Sequence, residues 1–188
     1  MQQGVSEMID ASKYDEIETL KNGTTVRIRS IKPDDKGRLT EAFRNLESES
    51  IYTRFFQQKK ALTDEELKAA TEVDFEKVVA LVVTVGEGGN ETIIAGGRYA
   101  AFNAANNLRS AEVSFTVEED YHGQGIAGRL LRHLAQIARA KGVSQLEAEV
   151  LSGNKAMLTV FSRSGLPMKK SSEGGTTHVI LTLQEAIP

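Results

Sequence analysis

Between Ser114 and Arg129 an apolar run, Ser114-Phe115-Thr116-Val117, passes through the polar crossing Glu118-Glu119-Asp120-Tyr121 into His122-Gly123-Gln124-Gly125-Ile126-Ala127-Gly128-Arg129. A strand must end here, the backbone must turn on glycine, and a helix must begin at once. Glycines at 123, 125 and 128 let main-chain N–H groups approach a ligand without Cβ interference. The helix that follows aims its own unpaired first-turn amides at the same point. Such a loop is an anion cradle, and a pyrophosphate is its natural guest.

The flanking residues separate the kinds of loop that share this pattern. A P-loop would need Lys and Ser/Thr after the second glycine; Arg129 and Leu130 stand there, so the hydroxyl that holds magnesium is missing. A dinucleotide fingerprint is matched literally by Gly123, Gly125 and Gly128, with Glu149 about twenty residues on. Its first glycine, however, belongs directly after the strand, whereas polar residues 118–122 intervene here, late in the chain and behind hairpin-like strands.

The stretch His122-Gly123-Gln124-Gly125-Ile126-Ala127 resembles the acyl-CoA loop of the GCN5-related N-acetyltransferase (GNAT) family, Gln/Arg-x-x-Gly-x-Gly/Ala, with His122 in place of Gln or Arg. The resemblance runs from about Thr25 to Leu183. It implies acetyl-CoA as cosubstrate, its phosphates held by His122, Gly123, Gln124, Gly125, Ile126, Ala127, Gly128 and Arg129. The pantetheine arm would lie along Phe115, Thr116 and Val117 like an added strand, with a main-chain N–H there polarising the thioester carbonyl. Asn154 matches the family's cofactor-contacting Asn, and an ordinary N-cap is its other reading. Phe161 stands where the family carries a Tyr acid next to the cofactor, and phenylalanine donates no proton.

Glu112 lies among the apolar neighbours Ala111 and Val113 and, by strand alternation, shares a face with Ser114 and Thr116. Partial burial would favour it as the general base. The resemblance puts a catalytic glutamate at this place; a strand-edge ion pair with Arg98 or Arg109 is the alternative. Glu118 and Glu119 read as solvated loop charges. His122, His133 and His178 lack metal-ligand spacing, so no metal is expected.

The 188 residues, 40% hydrophobic, suit one domain. We expect residues 1–21 to be a tail or partial helix and residues 22–188 a single GNAT acetyltransferase domain. The absence of cysteine excludes a cysteinyl acyl-enzyme and makes direct transfer the expected route. No apolar stretch approaches a membrane span and no export signal is visible, so a cytoplasmic protein without a membrane partner is expected. A net charge of -3 offers no basic footprint for nucleic acid.

Thr25 to Ile31 alternates as a half-buried strand, and Pro33-Asp34-Asp35 opens a helix with the stripe Leu39, Phe43 and Leu46. Tyr52, Arg54, Phe55 and Phe56 read as a core anchor or as part of an acceptor pocket, and Thr63 to Glu66 as a capping box. Val78 to Val85 and Thr92 to Tyr99 form a hairpin, followed by the strand Ala111 to Val117, the cradle and a helix through Ile137. Then come the strand Gln145 to Val150, a helix Asn154 to Ser164, a flexible turn Ser171 to Gly175 and a last strand Thr176 to Leu183. The fold class is mixed α/β: antiparallel N-terminal strands, a βαβ acyl-CoA-binding core, and helices on both faces.

Ser50-Ile51-Tyr52-Thr53-Arg54-Phe55-Phe56 resembles a segment of bacterial protein-lysine acetyltransferases of the Pat type, which modify acyl-CoA synthetases. An acetyl-CoA-dependent N-acetyltransferase is therefore expected, its acceptor a protein lysine, as on an acyl-CoA synthetase. A small-amine acetyltransferase and a catalytically silent acyl-CoA-binding module are the alternatives.

Overall fold

The computed structural model describes residues 9–105 and 107–183, except for the side chain of Thr53. Eight strands form one sheet in the order β1-β2-β3-β4-β5-β6-β8-β7. They are β1 (Asp15–Thr19), β2 (Thr25–Ser30), β3 (Val78–Val85), β4 (Thr92–Asn103), β5 (Arg109–Val117), β6 (Gln145–Leu151), β7 (Met168–Glu173) and β8 (Thr176–Thr182). Every neighbouring pair is antiparallel except β5 and β6. That parallel pair needs a crossover, which α4 (Ile126–Ala140) supplies.

Alternation along β3 assigns the two faces. Val79, Leu81 and Val83 join the main core with α4, while Ala80 and Val82 pack with Leu39 and Ala42 of α1 (Lys36–Asn45). The first face is closed by α4, whose Ile126, Leu130, Leu131, Leu134, Ile137 and Ala138 are buried, and by α5 (Lys155–Ser162). Each such leucine or isoleucine contributes about 1.5–3 kcal/mol by leaving water. Gly97 on β4 serves this packing: a Cβ there would lie 2.9 Å from the Phe115 ring and 3.2 Å from Leu134. The opposite face carries α1, α2 (Ser48–Phe55) and α3 (Asp64–Thr71). The expected capping box opens α3, with Thr63 Oγ1 accepting from the Glu66 amide at 3.2 Å and a Glu66 carboxylate oxygen accepting from the Thr63 amide at 2.8 Å.

α1 is fixed to the sheet by a buried ion pair. Arg29 donates twice to Asp35, at 2.8 Å each, and once to Glu91 at 2.8 Å. The Arg29 and Asp35 side chains are 4% and 1% exposed.

The sequence reading and the structure differ at both sheet edges. Part of residues 1–21 lies outside the described residues, but residues 15–19 form β1, paired with β2. The stretch read as a turn from Ser171 lies largely in β7, whose residues 169–173 are exposed. Edge strands of this kind are held by their ladder and show no apolar alternation.

Candidate active site

β5 and β6 pair only over Ser110↔Gln145, Ala111↔Leu146 and Glu112↔Glu147, and then diverge. The backbone direction in this splay follows from the β4 register. The Glu118 amide donates to the Ile94 carbonyl at 2.9 Å, so even-numbered residues of β5 turn their backbone groups toward β4. Phe115 and Val117 therefore turn theirs toward the opened edge. The His122 ring nitrogen Nε2 lies 2.9 Å from the Val117 carbonyl oxygen and closes the far end of that edge.

The cradle follows. Gly123 and Gly125 have φ of 76° and 80°, the left-handed region that glycine enters without strain. Gly125 is the N-cap of α4. Among the described residues, no protein acceptor takes the amides of residues 123–128, whereas those of His122 and Arg129 are bonded to Glu119 and Gly125 carbonyls. A Cβ at Gly123 or Gly128 would meet nothing within 4 Å, so packing does not demand glycine at either position. A run of bare amides at the head of a 15-residue helix fits a pyrophosphate.

Side chains around the cradle are tied back to the protein. Gln124 accepts from the Asn22 amide at 3.1 Å. Arg129 pairs with Glu18 and donates to the Thr19 carbonyl at 2.9 Å, anchoring β1 to the first turn of α4. Glu18 also meets Arg132 and His133. Burial works to raise the Glu18 pKa, but Arg129, His133 and Arg132 outweigh it and hold it at about 2. Ile126 is buried and Ala127 half-buried beneath the loop. Asn154 caps α5 by accepting from the Met157 amide at 3.1 Å. Phe161 is 1% exposed, its ring 6.2 Å from that of Phe115 below the splay.

On the other face of β5 lies a cavity of about 270 Å³ between the sheet and α1, α2 and α3. Its sheet wall includes Arg98, Ser114 and Thr116, with Glu118 at one end and Arg54 and Phe55 reaching in from α2. Glu112 shares the face of Ser114 and Thr116 but is exposed and does not line the cavity. Among the described residues it forms no ion pair with Arg98 or Arg109; Arg109 instead donates to the Lys141 and Glu76 carbonyls at 2.9 and 3.2 Å.

Of three charged cavity residues, Glu118 and Arg98 were not marked as site residues by the sequence, and Arg54 was read there as a core anchor or part of an acceptor pocket. Glu118 is half-buried, and burial, then Asp120 and Glu119, raise its pKa. Arg54 has its pKa lowered by burial and by the like charge of Arg98, with Glu112 opposing. Its guanidinium carbon lies 5.0 Å from the Phe55 ring centroid. Arg98 stands opposite Ser114 in the β4–β5 register. Only the crowding of aromatic residues near Arg54 signalled this wall in the sequence.

Comparison with known proteins identifies relatives of this sequence and fold. The family model described as Acetyltransferase (GNAT) family matches residues 40–166. Acetyltransferase Pat of Mycolicibacterium smegmatis is 33% identical over 146 residues, 78% of this chain, and the chain spans 42% of that protein's length. Acetyltransferase PA5475 of Pseudomonas aeruginosa is 26% identical over 160 residues, covering 85% of this chain and 84% of its own. The crystal structure of the GNAT domain of S. lividans PAT superposes with a TM-score of 0.81 at 33% identity, covering 89% of this chain and 96% of that one.

Proposed function

The chain belongs to the acetyltransferase (GNAT) family and is an acyltransferase, and from that premise we propose that it moves an acetyl group from acetyl-CoA directly to a primary amine, a protein lysine above all. The observation that carries this reading is the juxtaposition of the bare amides 123–128 with the unpaired edge of β5. Acetyl-CoA supplies an acetyl group activated as a thioester.

The chain's own residues divide the work. The amides of residues 123–128 hold the diphosphate end, with Gly123 and Gly125 setting their direction. Phe115 and Val117 offer main-chain N–H groups to the pantetheine arm and to the thioester carbonyl. One such donor in a dry site is worth about 3 kcal/mol of transition-state stabilisation. A lysine amine arrives protonated, its ordinary pKa being about 10.4. Glu112 accepts that proton, directly or through a water, from the face it shares with Ser114 and Thr116. The N–C bond then forms as the C–S bond breaks, the sulfur departs as thiolate, and the second proton of the attacking nitrogen passes to solvent or to that thiolate. Phe161 carries no hydroxyl, so no side chain there protonates the leaving group, and a thiolate leaves readily at neutral pH.

Tyr52 and Phe56, 42% and 44% exposed at α2 and its C-cap, support a macromolecular acceptor. So does the resemblance of residues 50–56 to Pat-type enzymes, which makes an acyl-CoA synthetase the first acceptor to try. The test is acetyl-CoA with such proteins and with small amines, following free thiol and then the acylated residue by mass spectrometry. Acceptor-dependent thiol release with the acetyl group on a lysine is expected. Release only with small amines would exclude the protein acceptor, and saturable binding without release would leave an acyl-CoA-binding module.

A further inference from the structure

Arg54 and Arg98 are two cations lining one cavity. Among the described residues neither forms an ion pair. Glu66, also on the cavity wall, is taken by Lys59 at 2.6 Å. The helix side of the cavity is otherwise largely apolar, built from residues such as Leu39, Ala42 and Phe55. Half-buried charges outside an ion pair are costly, and like charges side by side add to the cost; Glu112 offsets it for Arg54 only in part, since burial and Arg98 still lower the Arg54 pKa. The arrangement is relieved by an anionic guest.

We propose that Arg54 and Arg98 form a carboxylate-binding subsite for the acceptor, so that the amine acylated here carries a carboxylate held by these two guanidinium groups; the proposal rests on the acyl-transfer reading above. Guanidinium forks match carboxylates bidentately, and the Ser114 and Thr116 hydroxyls on the same wall can donate to the same group. Position favours the acceptor over the acyl group. The thioester lies on the backbone edge of β5, whereas Glu112, which takes the proton from the amine, shares the side-chain face on which Arg98 stands. Arg98 is one strand further from the splay, so amine and carboxylate are separated by one to two strand spacings, about 5–10 Å. That span suits a side-chain amine with a remote carboxylate. The carboxylate is either the main-chain carboxylate of a free diamino acid or an acidic side chain beside a lysine in a peptide.

The test compares pairs of acceptors that differ only in that charge, with acetyl-CoA as donor. One arm uses Nα-acetyl-lysine against its amide; the other uses lysine peptides with a neighbouring Asp against Asn. In at least one arm kcat/KM should favour the carboxylate by about tenfold or more, chiefly through KM, as expected for charge-assisted hydrogen bonds. The ratio should fall to about one in Arg54→Gln and Arg98→Gln, and a ratio within one variant is independent of how much of it folds. No preference in either arm, a preference that survives both substitutions, or turnover that requires a dicarboxylic acyl-CoA would overturn the proposal. If no acceptor is acylated at all, the acyl-transfer reading fails by itself. The arginine Nε–Hε resonances then decide: movement on titration with Nα-acetyl-lysine but not with its amide upholds the subsite, and no movement overturns it.

Discussion

Glu112 stands opposite Glu147 on the last rung that β5 and β6 share. The two carboxylates are not equivalent. Gln145 donates to Glu147 at 3.1 Å, and His178 approaches it at 3.3 Å, while among the described residues Glu112 forms no ion pair. As register partners both lie on the face of Ser114 and Thr116, and the proposed base is the one without an ion pair. Glu112→Gln should lower kcat by about a hundredfold or more while leaving the KM for acetyl-CoA little changed. Glu147→Gln should have a much smaller effect. Initial rates of thiol release check both, and an unimpaired E112Q would move the base elsewhere, with half-buried Glu118 next in line.

Gly125 holds φ at 80° as the N-cap of α4. An alanine there costs about 1–2 kcal/mol in the left-handed conformation, and the loop escapes that strain by turning its amides away. Gly125→Ala should weaken acetyl-CoA binding about tenfold by calorimetry. Any loss in melting temperature should stay within about 2–8 °C, set by that backbone strain and not by a clash, since a Cβ there approaches only Lys21, at 3.7 Å.

The Arg29–Asp35 pair makes a sharper claim on stability. Arg29→Met leaves Asp35 as a buried charge without its main partner, which costs about 3–5 kcal/mol. Arg29→Met with Asp35→Leu should recover part of that loss, because the buried Asp35 charge is gone while Glu91 keeps Thr84 at 2.9 Å and Arg38 at 3.8 Å. Urea denaturation of the three proteins measures it.

Glu18 supplies a pH signature. Its folded pKa is depressed from 4.5 to about 2, so its contribution is present above pH 4.5 and is lost as pH falls from there toward about 2. Wild type should melt higher than Glu18→Gln at pH 6, and the gap should close as pH drops through that window. A gap that stays constant would mean the carboxylate charge is not what ties β1 to α4.

The parts legible in the sequence are those where one physical requirement dominates. The glycine loop, the apolar β3 run and the α4 stripe each permit one local structure. The edge strands were not legible, because the exposed side chains of β1 and β7 carry no apolar alternation. Glu112 could be placed on the face of Ser114 and Thr116 by period-two alternation, but its exposure could not, since that depends on how far α2 extends over the sheet. Arg54 and Arg98 were invisible as a pair for the same reason: they lie far apart in the chain, and only the pairing of β4 with β5 and the packing of α2 on β5 bring them to one cavity.

A crystal structure with acetyl-CoA bound tests the central claim most directly. The expected result has pyrophosphate oxygens within hydrogen-bonding distance of amides in the 123–128 run and the thioester carbonyl facing a main-chain N–H of Phe115 or Val117. A diphosphate seated elsewhere, with those amides still bare, would contradict the account.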